Sequence, residues 1–283
     1  MEKDKMHLLF TADENYAVRI PTVLYSIKAA HPVQSAHIHL ISDSCTEDAV
    51  SKLKACCDRL EFGFTYYQID EDVFSDAPIT KHYSSAMYYR LLASEILPDS
   101  MERILYLDPD ILVINPLTEL WEMDLCGYTF AAASHSMPES PVHDINHIRL
   151  NTTTHYYNTG VLLMDLTKCR RMIDQEDVFR YIEENQHVLI LPDQDVFNAL
   201  YGIYTLEVPD EIWNYDTRKY SQYLVESGGI LTLDEVIKRT SILHFCGKNK
   251  PWNKGCTKLS ILYKHYENLA RVYGNTTTSK ERN

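Results

Sequence analysis

The sequence predicts an α/β protein with a largely parallel sheet and helices on its faces. Two observations lead there. Short apolar β-like runs alternate with stretches of helical spacing through the first half of the chain, and strands separated by helices pair in parallel. The chain is also long enough: 283 residues with 45% hydrophobic side chains bury roughly 75% of their accessible surface, sufficient for a proper core.

The elements follow in order. Residues 7–11 are a short strand centred on Leu8, Leu9 and Phe10. Over 18–30, Val18, Thr22, Tyr25 and Ala29 fall near one helical face, and Pro32 follows the end. Residues 37–41 alternate as a strand, 46–57 open on a capping-type Thr and read as a helix, and 62–69 are strand-like. Residues 86–97 read as a helix that ends at Pro98, and 103–107 as a strand. Residues 134–156 are polar and histidine-rich without a clean period, which predicts a lid, a binding loop or disorder. Residues 157–165 are a strand, 178–184 and 195–200 are helices, 242–244 is a short β run, and 260–273 is a terminal helix.

Composition removes several function classes. Lys and Arg number 27 against 40 Asp and Glu, a net charge of −13. Such an acidic chain fits neither nucleic acid nor broad adhesion to anionic membrane. The 9 glycines never fall at the spacings of G-x-G-x-x-G, G-x-S-x-G or the P-loop, so none of those loops cradles phosphate. The 7 cysteines, Cys256 among them, form no C-x-x-C pair, and reduced thiols are expected. The charged N-terminus and the lack of a long apolar run predict a cytoplasmic protein. Asn151 and Asn275 open Asn-x-Thr triplets that carry no meaning without secretion.

Four segments carry chemistry. An apolar strand runs into Asp108-Pro109-Asp110. Proline keeps Asp108 out of the helical region and lacks an amide donor, so two carboxylates lie close together at a strand end. They need a cation, and oxygen ligands favour Mg²⁺ or Mn²⁺. The bland alternative is a solvated turn. A second run ends in His244, then Gly247, Lys248, Lys250 and Pro251-Trp252; the histidine suits Mn²⁺ better than Mg²⁺, and a lysine reaches a phosphate as a point charge. Alone, His244 reads as a satisfied strand-end histidine. Third, Asp193-Gln194-Asp195 opens a helix; capping explains the acids but not Gln194. Fourth, Asp13-Glu14-Asn15-Tyr16 follows the first strand, where an Asx turn is the plain reading. His143-x-x-x-His147 lacks the Glu of H-E-x-x-H, so a zincin is excluded.

Together these segments resemble glycosyltransferase family 8, the retaining sugar transferases that include bacterial lipopolysaccharide galactosyltransferases and glycogenin. Five blocks match in order over nearly the whole chain: FTADENY at 10–16, YYRL at 88–91, LYLDPD at 105–110, YNTGVLL at 157–163 with DQD at 193–195, and HFCGKNKPW at 244–252. The resemblance implies a GT-A fold: a Rossmann-like, mixed, mostly parallel sheet flanked by helices. It implies a transferase domain over 1–257, with a small helical extension and tail over 258–283. It also implies Mn²⁺, with Mg²⁺ as second choice, and a UDP-glucose or UDP-galactose donor. The acceptor is a glycan, a lipid-linked glycan or another hydroxyl compound. Carried over position by position, Asp108, Asp110 and His244 are the metal ligands. Thr11, Ala12, Asp13, Asn15 and Tyr16 meet the uridine, and Arg90 positions the donor. Pro109 stands between the metal acids, Lys250 and Gly247 clamp the diphosphate, and Asn158 and Gly160 lie near the sugar. Asp193 and Gln194 hold the donor sugar, and with Lys250 they are the expected catalytic groups.

Two departures stand out: Pro109 replaces a β-branched residue, and Ser134-His135-Ser136 stands where galactosyltransferase relatives place an aspartate. No strong nucleophile is evident beyond Asp193, which favours front-face displacement with the departing phosphate taking the acceptor's proton. Three alternatives remain at this level: a phosphatase using the D-x-D, a sugar-nucleotide pyrophosphorylase, and a non-catalytic nucleotide-sugar or glycan-binding module. The final helix suggests packing first and weak contact with the inner face of a membrane second.

Overall fold

The computed structural model describes residues 5–32, 35–69, 85–135, 141–253 and 258–274. Ser136, Cys256, Asn275 and the side chain of His143 lie outside them.

A seven-stranded sheet runs in the order β3-β2-β1-β4-β7-β6-β8. Its strands are β1 (Met6–Thr11), β2 (Ala36–Ser42), β3 (Gly63–Gln68), β4 (Arg103–Leu107), β6 (Phe130–Ala132), β7 (Val161–Asp165) and β8 (Thr205–Glu207). The first four neighbours pair in parallel, while β7 runs antiparallel to β4 and β6. The sheet is thus mixed and mostly parallel. Strand alternation sends Leu8, Phe10, Leu105 and Leu107 to one core layer, under the helix Ile20–Ala30, and Leu9, Ile104 and Tyr106 to the other, under the helix Pro192–Tyr201.

A smaller sheet, β5-β10-β9, sits beside it, from β5 (Ile111–Val113), β9 (Tyr215–Asp216) and β10 (Ile242–His244). It positions the site. Strand β5 follows Asp110 directly and pairs antiparallel with β10, placing His244 opposite Ile111. The Phe245 amide donates to the Asp110 carbonyl at 3.0 Å. Residues more than a hundred positions apart are therefore locked side by side by backbone pairing.

Thr46 caps the helix Glu47–Arg59, its hydroxyl accepting from the Ala49 amide. Three expectations need correction. The helix expected over 18–30 starts at Ile20, with Pro21 in its first turn where a missing amide costs nothing. Residues 86–97 form a 3₁₀ stretch, Ser85–Arg90, and a short helix, Ala93–Ile96. Tyr88 to Ala93 are all buried, so packing on every side overrides the helical period. Within 134–156 there is a helix, Pro141–Leu150, and Ser134 bridges Tyr157. Its polarity hid it: the buried faces of Asn146 and Arg149 are hydrogen-bonding groups, not apolar ones.

Candidate active site

Strand β4 ends at Leu107 and delivers Asp108, whose amide donates to the Gly160 carbonyl at 2.8 Å. Asp108 Oδ1 accepts from the Tyr106 hydroxyl at 2.6 Å and lies 3.1 Å from Arg90 Nη2. Asp110 Oδ1 is 3.3 Å from His244 Nε2, and Asp108 Oδ2 is 3.8 Å from the same nitrogen. The three ligand atoms all lie within 4.8 Å of one another. Two carboxylate oxygens and one imidazole are a donor set for a hard divalent cation. The groups fit one: a Cβ on Gly160 would stand 2.3 Å from His244 Cε1 and 2.6 Å from Asp108 Oδ2, so only glycine lets the ligands converge.

The charges are consistent with this. Burial opposes ionisation of Asp110, but His244 and Lys250 outweigh it and hold the carboxyl well below its usual range. Burial likewise opposes charge on His244, but Cys246 and Asp110 raise its pKa well above the ordinary value. A proton on the imidazole and the Lys250 ammonium, which donates to Asp110 Oδ2, supply positive charge that a divalent cation can replace.

Asn214, wholly buried, orients the histidine. Its Nδ2 donates to Asn158 Oδ1 at 2.9 Å, leaving its Oδ1, 2.7 Å from His244 Nδ1, as acceptor. That leaves Nε2 as the nitrogen turned toward the two carboxylates, the one that could hold a metal. Asn158 Nδ2 in turn donates to Gln194 Oε1 at 3.1 Å. Arg90 spans the site. Its Nη1 donates to the Thr159 carbonyl at 3.1 Å, its Nε lies 3.4 Å from Asp193 Oδ2, and its guanidinium lies over the Tyr106 ring. Burial raises the Asp193 pKa, against the lowering by Arg90.

A cavity of about 940 Å³ gathers these groups: Tyr16, Arg90, Asp108, Asp110, Asn158, Asp193, Gln194, His244, Gly247 and Lys250 all line it. Thr11, Ala12, Asp13 and Asn15 sit at the end of β1 next to Tyr16 and are not in its lining; nor are buried Pro109 and Gly160. Asp13 accepts from the Tyr16 amide at 2.9 Å as a cap, and Asn15 is exposed. Tyr16 packs edge-on against Trp252 at 5.8 Å.

Sequence reasoning missed several participants. Asn214 follows a four-residue helix, Asp210–Trp213, and belongs to no motif. Arg149 grips Asp195 with Nη1 and Nη2 at 2.6 and 2.7 Å, and the Tyr156 hydroxyl donates to the same carboxylate at 2.5 Å. The Ile190 and Leu191 amides also donate to Asp195. Asp195 thus braces the first turn of the helix Pro192–Tyr201, which carries Asp193 and Gln194. Arg218, Lys219 and His135 also line the cavity.

The profile of glycosyl transferase family 8 matches residues 7–256. The chain belongs to that family. General stress protein A of Bacillus subtilis (strain 168) is 27% identical, over 98% of this chain and 97% of that one. A lipopolysaccharide 1,2-glucosyltransferase of Escherichia coli (strain K12) is 26% identical, over 91% of this chain and 76% of its own. The galactosyltransferase LgtC, solved with donor and acceptor sugar analogs, superposes with a TM-score of 0.77 at 24% identity, over 94% of this chain and 96% of that one. The fold is the GT-A fold, as in LgtC, and membership in family 8 sets aside the phosphatase and the pyrophosphorylase. No described helix is long and apolar enough to cross a membrane.

Proposed function

We propose that this family 8 member is a metal-dependent retaining hexosyltransferase. It moves glucose or galactose from a UDP-sugar to a hydroxyl of a glycan or lipid-linked acceptor. The observation that carries the reading is the convergence of Asp108, Asp110 and His244 in one cavity with Lys250, Arg90, Asp193 and Gln194. When bound, Mn²⁺ supplies Lewis-acid charge where the sugar–diphosphate bond breaks. Lys250 faces the leaving phosphate and stabilises its developing charge. The Gly247 turn, at φ +79°, shapes the diphosphate loop. Tyr16, with Thr11, Ala12, Asp13 and Asn15 behind it, forms the uridine side. Arg90 holds Asp193, and Asn158 holds Gln194, so both meet the donor sugar in a defined pose. Neither carboxylate of the Asp193-Gln194-Asp195 run is a free nucleophile: Asp193 is buried beside Arg90, and the Asp195 carboxylate is filled by donors. Front-face displacement follows, the departing phosphate taking the acceptor's proton.

Residues 1–257 are read as the transferase body and 258–283 as its helical appendage. The protein is placed in the cytoplasm. Weak contact with the inner membrane face is assigned to the helix Ser260–Gly274, which exposes Ile261 and Val272.

UDP with Mn²⁺ raises the melting temperature, and EDTA abolishes the shift. Asp110→Asn removes metal-dependent UDP release from UDP-glucose or UDP-galactose while leaving the far-ultraviolet dichroism unchanged. Full residual turnover in that variant would refute the ligand role. A binding-only module gives the thermal shift without UDP release.

A further inference from the structure

The cavity holds more positive charge than a nucleotide-sugar donor uses. Six Lys or Arg side chains line it against three Asp, in a chain whose acids outnumber its bases by 40 to 27. Most of the six are committed. Arg90 pairs with Asp108 and Asp193, Arg149 with Asp195, Lys250 with Asp110, and Arg218 with Asp216. A diphosphate and a divalent cation added to Asp108, Asp110, Asp193, Arg90 and Lys250 balance to within one charge. Lys219 and Lys248 remain outside that balance, and Arg218 meets its own partner, Asp216, through Nε and Nη2.

Their geometry is that of a second anion-binding flank. Asp216, wholly buried, anchors Arg218 through Nε at 2.9 Å and Nη2 at 2.6 Å. Arg218 Nη1 is aimed elsewhere, 2.6 Å from where a Cβ on Gly247 would stand. The guanidinium therefore lies on the proposed diphosphate loop with its side chain 49% exposed. Lys219 donates to the His135 carbonyl, and the His135 ring centroid is 6.3 Å from that of His244. Lys248, next in the chain after Gly247, is exposed and lines the same cavity. A cleft with excess charge of one sign selects and concentrates ligands of the other.

We infer that the acceptor is an anionic glycan, carrying a phosphate or a carboxylate near the hydroxyl that is glycosylated, and that Arg218, Lys219 and Lys248 receive that group. This rests on the glycosyltransferase reading above. The hydroxyl attacks the anomeric carbon, the sugar–phosphate bond breaks, the proton leaves with UDP, and the acceptor's anionic group is unchanged.

The test uses the full chain with Mn²⁺ and a UDP-sugar that it turns over. Methyl glucoside, methyl glucuronide and a methyl glucoside phosphate are compared as acceptors by UDP release at low and high salt. One or both anionic acceptors should give kcat/KM about tenfold above the neutral one, as a charge-assisted contact predicts, with the advantage shrinking in salt. Lys248→Glu, an exposed substitution, should raise KM for the anionic acceptors and lower their advantage. Phosphate and glucuronide arms separate the two sources of charge. Equal response to all three acceptors, including none, while UDP and Mn²⁺ still raise the melting temperature, would overturn this inference alone. Loss of that thermal shift would overturn the donor reading as well.

Discussion

Gly160 and Asn214 show how differently two residues of one site declare themselves. Gly160 stands inside a recognisable block, and its physical reason is a cradle: any side chain would strike His244 and Asp108. Gly160→Ala should abolish the Mn²⁺-dependent part of the UDP thermal shift, with the protein still folded by circular dichroism. Asn214 has no such block, yet it holds the His244 ring and Asn158 at once. Asn214→Ala leaves a buried ring N–H without its acceptor and should weaken Mn²⁺ affinity by about 10–100-fold, read by titration calorimetry. An affinity within twofold of the parent would show that the ring is oriented by something else.

At the scale of elements, strands β1 and β2 bring three imidazoles together. His7 pairs in register with His37. The rings of His37 and His39 stack at 4.6 Å, and His7 Nδ1 lies 2.9 Å from His39 Nε2. His39 Nδ1 meets the Tyr67 hydroxyl at 3.2 Å on β3. Burial, then His37, His7 and Lys5, push His39 down to about 3. The unfolded chain therefore takes up a proton near pH 6.5 that the folded one refuses. The contribution of this residue is complete above that pH and is lost as pH falls toward 3, at about 1.4 kcal/mol per pH unit. His39→Gln should flatten the fall in melting temperature between pH 6.5 and 4; an unchanged slope would place the acid lability elsewhere. The same scale separates what patterning reveals from what it hides. Strand β4 was legible because Ile104 to Leu107 are a plain apolar run. The strands Phe130–Ala132 and Thr205–Glu207 are three residues each, and neither leads into an unusual motif as Ile242–His244 does.

Across the whole molecule, the terminal helix reaches the site through packed rings. Tyr263, wholly buried, meets Phe245 at 5.6 Å and Trp252 at 5.7 Å. Trp252 meets Tyr16 and lies under Arg19, which pairs with Glu267 of the same helix at 3.5 Å. Tyr263→Ala should cost about 3–5 kcal/mol in urea denaturation. It should also raise the UDP concentration needed for half-maximal thermal shift, since the ring that flanks Tyr16 loses its support.

The sequence by itself determined the fold class, through strands alternating with helices. It also singled out the acid pair, histidine and lysine as candidates, through short blocks whose local chemistry is unusual. The family resemblance already implied that Asp110 and His244 meet; the tertiary structure supplied the physical means, β5 pairing with β10 across some 130 residues. Only the tertiary structure decided the places of Asn214, Arg149 and Arg218. Their partners lie tens of residues away or depend on a loop turning back, and no periodicity along the chain encodes such a meeting.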